Sequence, residues 1–156
     1  MKQLLSFLKK RRTPQPPGRR LAENDEMAVA ALHRFGMPPR KEQLEELRAV
    51  LTNETLQDRR FGNEYLRALC FLLWVNQDPD DAPAIAHAKF SDFDAGCVID
   101  LQFLECGDLE AVRKTLSAAD TAETKNALNF LEGWEKSDER ESVDAKINWE
   151  RAYYGV

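Results

Sequence analysis

Between residues 78 and 110 the chain carries nine carboxylates, Asp78, Asp80, Asp81, Asp92, Asp94, Asp100, Glu105, Asp108 and Glu110, against Lys89 as the single Lys or Arg. Carboxylates in such a run can cap helices, hold a hard metal ion or attract a cationic partner. Spacing argues against the metal. Asp78-x-Asp80-Asp81 begins like a calcium loop, but Pro83 stands where the turn needs glycine and Lys89 where a bidentate Glu belongs. His33 and His87 fall in separate helical stretches without a metal-binding spacing, so neither a metal nor another cofactor is expected.

Nucleophilic chemistry finds little more support. The chain has no Gly-x-Ser-x-Gly elbow, no phosphate-binding loop and no paired Gly-rich turn before a helix. Cys97 or Cys106 assisted by His87 would be the one conceivable nucleophile and base, and nearness in sequence does not establish contact. No catalytic residue is expected and the chain reads as a non-enzyme. Its three cysteines contain no Cys-x-x-Cys pair, which fits reduced thiols in a cytoplasmic protein.

The elements that must position the carboxylates are helical. Met27, Ala28, Ala31, Leu32 and Phe35 recur at helical spacing in a stretch from Leu21 that stops at Gly36 and Pro38. A second helix is expected from about Pro39 to Asn53, and Asn53 or Thr55 would cap a short further piece. Asn63 opens a strongly apolar helix with Tyr65, Leu66, Leu69, Cys70, Leu72, Leu73 and Trp74, which should be central. Asp81 reads as the N-cap of a short helix through Lys89, and the Ser91 to Asp94 cluster as the cap of one helix running through Leu104 to Gly107. Asp108 caps the next run, Asp120 or Thr121 the one after, and the last helix spans Val143 to Tyr153. Period-two alternation is nearly missing, so the fold class is all-α, an irregular antiparallel bundle or short superhelix of helix pairs, with the bundle favoured.

Charge divides the chain. Residues 1–20 hold seven Lys or Arg and no acid, and include the run Thr13-Pro14-Gln15-Pro16-Pro17-Gly18; they read as a basic tail, with one or two helical turns over Lys2 to Lys10, and a linker. Residues 21–156 read as a single acidic domain, because the remaining 15 bases face 27 acids, a net −12. That field repels a phosphate backbone and steers a basic protein, so no nucleic acid partner is expected. The longest apolar stretch, Leu66 to Val75, contains Arg67 and falls well short of the roughly 20 residues a membrane span needs. The opening MKQLLSFLKKRR lacks a cleavage site, and export is not expected.

The pattern Asp81-x-Pro83-x-Ile85-x-x-Ala88-Lys89-x-x-x-Phe93-Asp94-x-x-x-x-Ile99-Asp100-x-Gln102-x-Leu104 resembles one found in small helical bacterial proteins of polymorphic toxin loci, the immunity proteins. It covers about a quarter of the chain. Ala86 replaces a Trp of that pattern, and Cys106-Gly107-Asp108 replaces a Gly-Ala-Gly turn. The resemblance implies a cytoplasmic inhibitor that binds a cognate toxin and blocks its active site. Phe93 and Ile99 would then pack, and Lys89 with Asp94 or Asp100 would form an internal ion pair. Partner-binding candidates are Asp80, Asp92, Asp94, Glu105, Asp108, Glu135, Asp138, Glu139 and two aromatics of the last helix, Trp149 and Tyr153. Core packing competes for those aromatics, as it does for Trp74, Trp134 and Tyr154.

The alternative function is a non-enzymatic adaptor whose basic tail holds a second partner. Deleting residues 1–20 separates the two in a pull-down: an adaptor loses a partner, whereas an inhibitor acting through its acidic body keeps its target.

Overall fold

Helix α3 (Gly62–Asn76) organises the structure, because every side chain from Tyr65 to Val75 is buried. A helix covered on all sides needs neighbours all round. In the computed structural model, which describes residues 26–56 and 61–156, those neighbours are α1 (Glu26–Phe35), α2 (Leu44–Leu56), α4 (Ala82–Lys89) and α5 (Phe93–Val98). The hairpin of α6 (Leu109–Ala119) and α7 (Ala122–Trp134) packs on α4, and α8 (Val143–Tyr154) closes the chain. The described residues form an all-α bundle without strands. The expected tail, the linker and the first residues of the Leu21 helix lie outside them.

Local rules explain most boundaries. Gly36, at φ +84°, ends α1 in the left-handed region where an L side chain is strained. Asp108 caps α6 by accepting the Ala111 N–H at 3.0 Å, and Thr121 caps α7 in a reciprocal box with Thr124. Helix α2 departs from expectation at both ends. It follows a 3-10 turn at Lys41–Gln43 and runs through Asn53 to Leu56. Neither Asn53 nor Thr55 starts a new piece, since the Thr55 hydroxyl bonds back to the Leu51 carbonyl and stays within the helix.

Asp81 does not cap α4 with its side chain. Asp78 instead caps a 3-10 turn, Pro79–Asp81, which feeds directly into the helix. Asp81 is buried, and its carboxylate accepts from Arg48 Nε at 2.7 Å while the same guanidinium reaches Asp78 at 2.9 Å. This ion pair fastens α2 to the start of α4.

The helix expected from the Ser91–Asp94 cluster to Gly107 is also broken. Helix α5 ends at Val98, Ile99 and Asp100 are extended, and a 3-10 turn follows at Leu101–Leu104. The break has a cation at its centre. Lys89 Nζ donates to the carbonyls of Gly96 at 2.9 Å and Ile99 at 2.6 Å, taking up acceptors that the end of α5 leaves open. Lys89 therefore holds carbonyls, where an ion pair with Asp94 or Asp100 was expected; Asp100 pairs with Lys146 at 2.9 Å.

Helix α8 docks through large polar side chains. Arg67, the one cation of the apolar run, donates to both Glu150 oxygens and to the Tyr154 hydroxyl at 2.9 Å, and Tyr154 donates to Glu64 at 3.1 Å. Its guanidinium also lies 5.5–5.8 Å from the ring centres of Phe103, Trp149, Tyr153 and Tyr154. Burial alone would favour its neutral form, but the attraction of Glu150 and Tyr154 outweighs that and raises its pKa.

Removing one partner strands the other charge. Glu150→Ala should therefore cost about 3–5 kcal/mol in urea unfolding. The double change Arg67→Met with Glu150→Leu should cost much less than the sum of the single changes; an additive result would show that the two charges do not act as a unit.

Candidate functional site

The acidic stretch folds into two exposed patches and a set of internal ties. The first patch forms where the turn before α6 meets the turn before α4. Gly107, at φ +134°, lies so close to Pro79 that an added Cβ would stand 2.8 Å from the proline Cγ. No larger residue fits. The approach sets the Pro79–Asp81 turn, which carries exposed Asp80, against the segment that leads through exposed Asp108 and Glu110 into α6, and α6 packs on that turn. Asp78, Asp80 and Asp81 are close enough to add to the rise in the Cys106 pKa, whose first cause is burial.

The second patch is the start of α5. Asp92 caps the helix by accepting the Ala95 N–H at 2.8 Å, and Asp94 is exposed beside it. Between them Phe93 is 72% exposed, although its place in the motif reads as packing. The period of the helix explains this. Ala95 and Ile99 face the core, and a residue two positions before Ala95 points to the opposite side.

The remaining candidates are placed differently. Glu105 turns inward: its carboxylate accepts from Trp134 Nε1 at 2.9 Å and from Arg140 Nε at 3.1 Å, tying the turn before α6 to the end of α7. Glu135 pairs with Arg113 on α6. Asp138 is exposed and Glu139 half-buried in the segment before α8. Trp149 and Tyr153 are half-buried, with rings stacked at 5.0 Å, and Lys146 Nζ lies 4.5 Å from the Trp149 ring centre. Trp74, Trp134 and Tyr154 are core residues. The candidates thus lie at separate places on the molecule, with Asp80 and Asp108 on two turns that meet at Pro79 and Gly107, and Asp92 and Asp94 at the start of α5.

Of the three thiols, Cys70 and Cys106 are buried and Cys97 is half-buried. Burial pushes the Cys106 thiol up to about 12 and raises Cys70 as well, whereas a reactive cysteine needs stabilisation of its thiolate. His87 faces Glu123 at 3.9 Å. Among the described residues, no group of three or more His, Cys, Asp or Glu is placed to hold a metal ion, and no helix is long and apolar enough to cross a membrane. No family model matches this chain, nor does any curated protein or solved structure.

Buried titrating groups give the molecule a defined alkaline profile. Desolvation lowers the Lys89 pKa from 10.5 to about 8, so between those values the unfolded chain binds the extra proton and stability rises with pH. Cys70 and Cys106 have the opposite sign. Their folded pKa values are raised above the ordinary 9.0, so their contribution is complete below pH 9 and is lost above it; Tyr154, also raised by burial, joins above its ordinary 10.0. Stability measured by urea midpoint should reach a maximum near pH 9 and then fall, each proton contributing a slope of about 1.4 kcal/mol per pH unit. Lys89→Met should abolish the rise between pH 8 and 9; a rise that persists would assign it to another group.

Proposed function

We propose that this chain is an immunity protein, which binds a cognate bacterial toxin domain in the cytoplasm and occludes a basic active-site cleft with its acidic surface. The inward turn of Lys89 carries this reading. Lys89 is the only Lys or Arg between residues 78 and 110, and it is 3% exposed with its ammonium on two backbone carbonyls. Asp80, Asp92, Asp94, Asp108 and Glu110 meet solvent without a Lys or Arg of the same stretch beside them. Such a surface steers a cationic partner and disfavours an anionic one. Occlusion requires no chemistry from the inhibitor. The motif from Asp81 to Leu104 adds the resemblance to immunity proteins.

Co-expression with the product of an adjacent toxin gene should restore growth, and the two chains should copurify. If the chain neither rescues cells nor copurifies, the reading falls. Within a complex, Asp80→Lys combined with Glu110→Lys should slow association roughly tenfold at low salt, as expected when a steering charge is reversed. Neither side chain caps a helix, but Glu110 lies in the first turn of α6, so the melting temperature should fall by no more than a few degrees. Stopped-flow association across a salt series measures the effect, and an unchanged rate removes this patch from the encounter surface.

A further inference from the structure

Among the described residues, Phe93 is the one aromatic side chain that does nothing for the fold. Every other is buried, packs against the core, meets another ring or a cation, or donates a hydrogen bond. Phe93 is 72% exposed and takes no part in the core. Its position is nevertheless fixed. The Asp92 cap sets the first turn of α5, burial of Ala95 and Ile99 sets its rotation, and Lys89 holds the far end by the Gly96 and Ile99 carbonyls. A large apolar ring is thus presented on a rigid support, at little further backbone ordering cost on binding.

The surroundings indicate what covers it. Asp94, adjacent and exposed, has no ion-pair partner among the described residues, and Asp92 adds a second negative charge on the other side. The nearest cation in sequence, Lys89, lies beneath the helix and not beside the ring. An aromatic face next to a carboxylate suits an arginine, whose guanidinium can pair with the carboxylate while its plane lies on the ring.

We infer that Phe93 and Asp94 form the anchor of the partner interface, receiving an arginine-bearing, cationic protein surface that covers the Phe93 ring. This inference rests on the immunity reading for the identity of the partner, but it assigns the tightest contact to a residue that the motif would place in the core. Dissociation should then depend on Phe93 and association on Asp94, since truncating a buried anchor acts on the off-rate and removing a charge acts on steering.

The test measures binding of the full chain to a catalytically inactive form of the adjacent-gene toxin by surface-immobilised kinetics. Phe93→Ala should raise the dissociation rate about tenfold to a hundredfold with little change in association. Asp94→Asn should slow association and flatten its salt dependence. Because Phe93 is exposed, Phe93→Ala should leave the melting temperature unchanged, so that a loss of affinity is not a loss of fold. Wild-type binding with no effect of Phe93→Ala overturns the anchor and leaves the immunity reading standing. No wild-type binding overturns both. If Phe93→Ala instead converts a self-associated free chain to monomer in sedimentation, the ring is covered by a second copy and the inference is wrong.

Discussion

The fold depends on bringing a guanidinium into the middle of its most apolar helix. Arg67 occupies a run in which every neighbour is buried, and a charge there is tolerable only when hydrogen bonds and an opposite charge enclose it. Glu150 supplies that charge from the far end of the chain, with the Tyr154 hydroxyl beside it and four aromatic rings around it. The last helix is consequently part of the central helix's electrostatics. Lys146 extends the same network to Asp100, at the break after α5. The apolar core and the acidic stretch are therefore joined by charged groups that neither contacts solvent freely nor can be removed singly.

Lys89 has an analogous role on a smaller scale. A cation that would ordinarily snorkel to the surface is held inside by two backbone carbonyls, and in return it fixes the point where α5 stops. Burial lowers its affinity for a proton, so this junction is also where the structure stands closest to losing a charge as the solution becomes alkaline. Structural use of a basic residue and acidity of the surface above it are two results of the same placement.

Much of this architecture is legible in the residues. Helical periodicity identifies α1, α3 and the α6–α7 pair, and the Ser91–Asp94 cluster, Asp108 and the Asp120 or Thr121 alternative mark three starts, with Asp92 the capping residue of α5 and Thr121 that of α7. Failures occur where a side chain from another element decides the outcome. Asp81 has the position of a cap, but Arg48 on α2 captures it; the helix after Asp92 has the pattern to continue, but Lys89 stops it. Arg67 announces that some carboxylate must face it without saying which of the 27 acids does. The candidate surface is legible as a charge bias and not as a geometry. Only the fold separates Glu105, bound inward to Trp134 and Arg140, from Asp80 and Asp94, which meet solvent.

Helix α5 has one further consequence. Its conformation is set by a backbone-directed cap, two small or apolar inward residues and carbonyls held from beneath, none of which involves the side chain at position 93. That position can therefore vary in size, polarity or charge while the scaffold stays the same. Divergence of partner preference and preservation of the fold are uncoupled there, and a lineage could exchange one for another specificity by single substitutions without first acquiring a compensating change in its core.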